Sequence, residues 1–436
     1  MEKDFLKETE NSKNNFPLNI ALPHKDLISS IFQVKLAATK TNIALGFIDK
    51  ESGGKIESII ERGIEGEFNK HFCITMLQGG AGTSLNMIAN EVIAYHCYKI
   101  YGIKLSPYDT INLHQSTNDV IPTSVKITVL KLVRKLEKSI IELLKTLEEK
   151  ETEFDSLVKP GLTQMQYAVP VTLGREFSAY SSAISRDRWR ISKIVERIKE
   201  VNIGGTAIGT GFKAPRMYIF RVIEELRKIT DLPLTRAENL IDSTQNLDSI
   251  VEVSGILTTL ATNLIKISND LRFLSSSPVN QIELKEVQTG SSIMPGKVNP
   301  VIPEFAISCG VKAQSNHCGI QYASSMGNLE LNPFLPLIAH LVFESIEVLD
   351  AGCFKLSQCI KTLQANRERF ENLKYLDSTV LYALSTIIGY EKAKDVFNEA
   401  KGKGGKLYDF IIENKIASKE ELENALTPEN LLKLGF

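Results

Sequence analysis

Residues Asp119–Phe154, DVIPTSVKITVLKLVRKLEKSIIELLKTLEEKETEF, decide the fold class. Apolar side chains return every three or four positions through Val129, Val133, Leu136, Ile140, Leu143 and Leu147, with charged residues between them. That spacing puts the apolar set on one face of an α-helix, and the run is longer than an ordinary globular helix requires. Pro122 falls in the opening turns, where a kink or a helix start is tolerated.

Val171–Glu200, Gln245–Leu274 and Ile302–Gln364 repeat the pattern, and strand-like alternation is scarce. Pro333 and Pro336 interrupt the last of these, which predicts a bend near Asn332. The class is all-α, with extended helices forming a long central bundle whose faces can pack on partner chains. We divide the chain into a helical N-terminal domain at 1–113, the bundle at 114–364 and a small helical C-terminal domain at 365–436. Within the first, Glu51-Ser52-Gly53-Gly54 reads as a loop. Within the last, Gly402–Lys406 lacks the spacing and hydroxyl of a phosphate loop and reads as a turn before a helix. Ser418 followed by Lys419-Glu420-Glu421 reads as an N-cap with an acidic first turn.

A chain of 436 residues with 43% hydrophobic content can bury a large core, and its formal net charge of −1 gives it no electrostatic reason to bind nucleic acid. Met1 to Asn15 is polar and charged, unlike a signal peptide, and no window approaches the ~20 apolar residues of a membrane span. The expected location is the cytoplasm, with no membrane partner. The cysteines Cys73, Cys97, Cys309, Cys318, Cys353 and Cys359 form no CxxC pair and read as reduced core thiols. His317-Cys318 is adjacent rather than at ligand spacing, the histidines are dispersed, and no metal site is expected.

Gly290-Ser291-Ser292-Ile293-Met294-Pro295-Gly296-Lys297-Val298-Asn299-Pro300 carries the chemistry. Two hydroxyls, an ammonium and an amide framed by glycine and proline suit a mobile loop that closes over a small anion. Gln78-Gly79-Gly80-Ala81-Gly82-Thr83-Ser84-Leu85-Asn86-Met87 precedes it, as do Gln115-Ser116-Thr117-Asn118-Asp119 and Gly161-Leu162-Thr163-Gln164-Met165-Gln166-Tyr167-Ala168. Together these blocks, in this order, resemble the aspartase/fumarase superfamily, and the likeness runs from about residue 30 to about 430. Members eliminate ammonia, water or another group from the carbon next to one bearing an acidic proton.

The resemblance implies a homotetramer whose four subunits pool their central helices, with each site drawing residues from three subunits. It assigns Ser291 as the base. It places Thr83, Ser116, Thr117 and Ser292 around the carboxylate beside the acidic carbon, where hydroxyl donors stabilise an enediolate. Lys297, Asn299 and Thr163 match positions that bind the other carboxylate, and Asn118 and Gln164 face the leaving group. Glu304 corresponds to an orienting glutamate behind the site. A serine is a poor base unless its alkoxide is stabilised, for which Lys297 and loop N–H groups are the available means. No cofactor is expected, because the substrate's own carboxylate serves as electron sink.

Gln164 stands where fumarases usually carry histidine, and with Ala81 it favours an amine leaving group. The implied reaction is L-aspartate to fumarate and ammonia. Leu162 and Tyr167 stand where the family usually has arginine and aspartate, so a potential charge pair is replaced at both ends. The N-terminal arm of the family has no counterpart before Phe16, and Pro333 replaces a branched apolar residue. These departures keep three alternatives: an ergothionase-type lyase releasing trimethylamine from ergothioneine, a fumarate hydratase, and a non-catalytic crystallin-like relative.

Overall fold

A computed structural model describes residues 6–431. Among these, the chain runs through α1 (Lys7–Asn15), α2 (Lys25–Ala44), α3 (Lys50–Ile64), α4 (Thr83–Tyr101) and the long α5 (Thr117–Glu153), then an antiparallel hairpin of β1 (Val158–Thr163) and β2 (Gln166–Thr172). It continues through α6 (Leu173–Ser192), α7 (Arg216–Thr230), α8 (Asp248–Leu274), α9 (Val301–Ser325) and α10 (Leu335–Thr362). A series of short helices follows: α11 (Arg367–Lys374), α12 (Asp377–Ile388), α13 (Tyr390–Lys403), α14 (Leu407–Glu413), α15 (Lys419–Ala425) and α16 (Pro428–Leu431). The fold is all-α, with the hairpin and a few two-residue bridges as its only strands among the described residues.

Two compact units divide the chain. One comprises Met1–Lys138, Trp189–Ala261 and Cys309–Asp350, the other Ser139–Arg188, Thr262–Ser308 and Ala351–Phe436. Helices α5, α6, α8, α9 and α10 contribute residues to both.

In the first unit α2 packs against α3 and α7, burying Leu27, Ile31, Phe32 and Val34 completely. Here the sequence reading needs correction, because Glu51-Ser52-Gly53-Gly54 lies inside α3 rather than in a loop. Asp49 caps that helix by accepting the Ser52 N–H at 2.9 Å, which offsets the poor helix propensity of the two glycines. Gly53 is needed for packing: a Cβ there would stand 2.3 Å from Ile43 Cδ1, and one at Gly63 would stand 2.6 Å from the Phe32 ring. The expected bend near Asn332 is a full interruption. α9 ends at Ser325, α10 opens at Leu335 with Pro336 in its first turn, and Asn332 spans the gap by donating to the carbonyls of Ala323 and Ser324 at 3.0 Å each.

In the second unit the hairpin leads into α6, fastened at its base by a fully buried Lys159 paired with Glu176 at 2.8 Å. Nothing in the helical periodicity announced this hairpin, whose strands contain Pro160, Gly161 and Pro170. The C-terminal helices close a core of their own around Val380, Leu384, Ile411, Leu422 and Leu426. Gly404 ends α13 in a left-handed conformation, and Ser418 and Glu421 form a reciprocal capping box on α15.

Two further expectations change. α8 is long and apolar enough, by length and composition, to cross a membrane, whereas no such window was expected; 44% of its 18-residue apolar window is buried within the chain. No disulfide joins the six cysteines, all among the described residues, but Cys73 and Cys318 are exposed rather than in the core.

Candidate functional site

Ser116, Thr117 and Asn118 sit at the N-terminus of α5, presented by a turn that polar side chains hold from within the first unit. The Ser116 hydroxyl accepts the Asn118 N–H at 3.2 Å, so it is a helix N-cap. The Thr117 hydroxyl accepts from Asn86 Nδ2 at 3.2 Å. In both residues the protein uses an oxygen lone pair, which leaves the hydroxyl proton to be donated elsewhere. Thr83, in the first turn of α4, differs: its hydroxyl donates to the Gly80 carbonyl at 2.8 Å and must turn away to donate to a substrate. The Asn118 side chain donates through Nδ2 to the Ala207 carbonyl at 2.7 Å. A carbonyl only accepts, so this bond fixes the amide's orientation and leaves Oδ1 as an acceptor.

Behind these donors lies a buried polar scaffold that the sequence reading missed. Lys35, wholly buried on α2, donates to Asn112 Oδ1 and Gln115 Oε1, each at 2.9 Å. Asn112 Oδ1 also accepts from Asn86 at 3.2 Å and Asn90 at 3.3 Å. On the other side of the turn, buried Asp119 accepts the N–H groups of Ser116 at 2.9 Å, Gly204 at 3.1 Å and Thr206 at 3.0 Å. Burial pushes the Lys35 ammonium down to about 7 against the opposing pull of Asp119. Burial likewise pushes the Asp119 carboxyl up to about 6, opposed first by its backbone N–H partners and then by Lys35. The one available signal was a lysine in the middle of the apolar run Ile28–Ala38.

The second unit carries the other candidates. Ser291 Oγ accepts two backbone N–H groups of its own loop, from Ile293 at 3.2 Å and Met294 at 3.1 Å. Two such donors favour an oxyanion at that atom. Lys297 makes no hydrogen bond to Ser291 here, so of the two expected means of stabilising an alkoxide only the backbone groups touch the oxygen. Ser292 is exposed. Asn299 closes the loop by donating Nδ2 to the Gly290 carbonyl at 2.7 Å. Lys297, Asn299 and Glu304 line a groove of about 620 Å³ together with Arg272 and Ser276. Glu304 is exposed, in the first turn of α9, and Arg272 Nε lies 3.7 Å from its carboxylate.

Gly290 makes this loop possible. A Cβ there would fall 1.8 Å from the Lys297 carbonyl oxygen, a backbone atom that cannot swing aside. Gly290→Ala is therefore expected to open the loop and lower kcat/KM by ~10²-fold or more, as misplaced reacting groups do. Steady-state kinetics alongside a thermal melt check this. The melt should stay close to wild type because the loop is exposed.

Thr163 and Gln164 project from the end of the hairpin. Gln164 and Met165, at φ 53° and 63°, both occupy the left-handed region without being glycine, a conformation costing of order 1–3 kcal/mol per residue. Immediately below, Leu162 and Tyr167 are cross-strand partners. The two positions that depart from the family's arginine and aspartate thus form one pair. Among the described residues no group of three His, Cys, Asp or Glu side chains could hold a metal ion.

Comparison with known proteins agrees with this arrangement of blocks. Residues 5–314 match the family described as lyase, and residues 383–433 match the fumarase C C-terminus. The chain is 37% identical to the aspartate ammonia-lyase of Bacillus subtilis (strain 168), covering 100% of this chain and 96% of that protein. It is 38% identical to the aspartate ammonia-lyase of Helicobacter pylori (strain ATCC 700392 / 26695), covering 97% and 92%. The crystal structure of the fumarate lyase:delta crystallin from Brucella melitensis bound to cobalt superposes with a TM-score of 0.93 at 35% identity, covering 98% of this chain and 95% of that one. The chain belongs to the aspartase/fumarase superfamily and is a carbon–nitrogen lyase of the aspartase type.

Proposed function

We propose that this enzyme eliminates ammonia from L-aspartate to give fumarate, with Ser291 as the base. The observation that carries the reading is the pair of backbone N–H groups on Ser291 Oγ. Once the hydroxyl has lost its proton to solvent, those dipoles hold the alkoxide. The alkoxide takes a proton from the carbon beside one carboxylate, and the electron pair flows into that carboxylate as an enediolate. Collapse of the enediolate forms the carbon–carbon double bond and breaks the carbon–nitrogen bond on the opposite face, releasing ammonia.

Ser116 and Thr117, with their protons free to donate, stabilise the enediolate, joined by Thr83 and Ser292 when the loop closes. Lys297, Asn299 and Thr163 hold the second carboxylate, by charge in the first case and by hydrogen bonds in the others. Asn118 Oδ1 and the Gln164 amide accept from the departing nitrogen, and Glu304 orients the loop helix from behind. The site draws these groups from three subunits of a cytoplasmic homotetramer. The segments at 1–113, 114–364 and 365–436 serve as head, bundle and tail in that assembly. No bound cofactor is required.

A second reading is favoured by Tyr167, an aromatic residue more than half exposed near the tip, where a larger cationic leaving group such as trimethylamine would find a ring face. An ultraviolet assay separates the two. Fumarate should appear with L-aspartate and no thiolurocanate with ergothioneine; silence with L-aspartate and turnover of ergothioneine would reverse the assignment.

A further inference from the structure

The hairpin tip is held in a conformation that neither of its residues favours. Gln164 and Met165 both have positive φ, and such backbone persists only where its surroundings over-determine it. The ladder supplies little. Thr163 pairs with Gln166 and Leu162 with Tyr167, and below them the register slips between Pro160 and Leu162. Two pairs above a bulge are all that the strands offer the tip.

Tyr167 reaches beyond the hairpin. It lines two grooves against the C-terminal helices, one of about 730 Å³ with Tyr375, Ser378 and Glu423, and one of about 300 Å³ that shares Ser378 and adds Leu381 and Phe397. The wall of the larger groove is stiff: the Glu423 carboxylate accepts from the hydroxyls of Tyr408 at 2.6 Å and Tyr375 at 3.0 Å and from Lys374 at 3.1 Å. The Tyr167 ring stands at the rim of these grooves, beside that wall, and is paired across the strands with Leu162 at the point where the ladder stops restraining the tip.

We propose that the Leu162–Tyr167 pair is a positioning device, by which the C-terminal helices fix the hairpin tip and so place Thr163 and Gln164 against the substrate. This rests on the roles given to Thr163 and Gln164 above. The pair stands where the family resemblance implies arginine and aspartate, a potential charge pair.

The test uses the full-length enzyme and five variants: Tyr167→Ala, Tyr167→Phe, and the double Leu162→Arg/Tyr167→Asp with its two single components. Each is assayed for kcat and KM, and amide hydrogen exchange is followed over residues 161–168. Tyr167→Ala should lower kcat/KM by ~10²-fold with KM raised as well as kcat lowered, because a displaced tip misplaces both a carboxylate ligand and a leaving-group ligand. A merely structural loss would reduce the active fraction and leave KM unchanged. Tyr167→Phe should restore wild-type kinetics, and the double variant should exceed both single components. Exchange at the tip should accelerate in Tyr167→Ala while α6 stays protected.

Wild-type kinetics in Tyr167→Ala would overturn the proposal. So would equal damage in Tyr167→Phe, which would mean that the phenol itself contacts substrate, or a double variant no better than its components. Hydrogen exchange needs no turnover, so it separates this proposal from the aspartase reading. Wild-type silence on L-aspartate sinks that reading alone, and an unchanged tip in Tyr167→Ala sinks the positioning role alone.

Discussion

Ser291→Ala should reduce fumarate formation by at least ~10³-fold, within the range expected for removal of a positioned general base. Thermal stability and oligomeric state should not change. The side chain is on an exposed loop, its oxygen is an acceptor for two loop N–H groups, and those groups gain water when it is removed; surface substitutions of this kind stay within ~0.5 kcal/mol. The measurement is kcat at saturating L-aspartate on protein shown by melting and sizing to match wild type. A folded, assembled Ser291→Ala enzyme turning over at the wild-type rate would remove Ser291 as base.

Asp119→Asn has the second large effect, and it falls on stability as well as turnover. The carboxylate anchors the N–H groups of Ser116, Gly204 and Thr206 and exerts a compensating attraction on buried Lys35. Removing one partner from a buried charge arrangement leaves the other uncompensated, typically at 3–5 kcal/mol. The turn that presents Ser116, Thr117 and Asn118 should loosen with it.

The pH dependence follows from linkage. Lys35 is depressed from 10.5 to about 7 in the folded chain, so its contribution to stability is present above the unfolded value and is lost as pH falls through about 7. Without the attraction of Asp119 its folded value drops further, and the acid-side loss deepens. Asp119 itself is raised from 3.8 to about 6, so in the wild type it adds stability as pH falls through about 6, a gain that the asparagine variant lacks. Both effects have one sign: the stability gap between wild type and Asp119→Asn should widen from pH 8 to pH 5. Denaturant unfolding across that range measures it, and a gap that is constant or shrinks toward acid would contradict the Lys35–Asp119 coupling.

Much of this was legible in the chain itself. The helix expected at Asp119–Phe154 is observed at Thr117–Glu153, and that expected at Gln245–Leu274 is observed at Asp248–Leu274. Periodicity of apolar residues is a local property, so it can be read without knowing what the helix packs against. Family membership followed from the order of short blocks for the same reason, since each block is contiguous. Glu51–Gly54 was misread because paired glycines signal a turn by composition, while the need for a bare backbone against Ile43 arises only when α2 and α3 meet. The hairpin was missed because its prolines and glycine hide the alternation.

The sequence by itself determined the all-α class, the long helices and the superfamily, and its family resemblance nominated the groups proposed for the chemistry, from Ser291 and Lys297 to Asn118 and Gln164. Only the tertiary structure decided that two loop N–H groups meet Ser291 Oγ, that the Asn118 amide is fixed by donating to the Ala207 carbonyl, and that Leu162 faces Tyr167 across a strained tip. It alone showed that Lys35 and Asp119 grip the donor turn from opposite sides. The physical reason is that hydrogen-bond partners and burial of charge are set by residues far apart in the chain, 87 positions for Asp119 and Thr206, whereas a helical stripe or a motif is written within a few turns of chain.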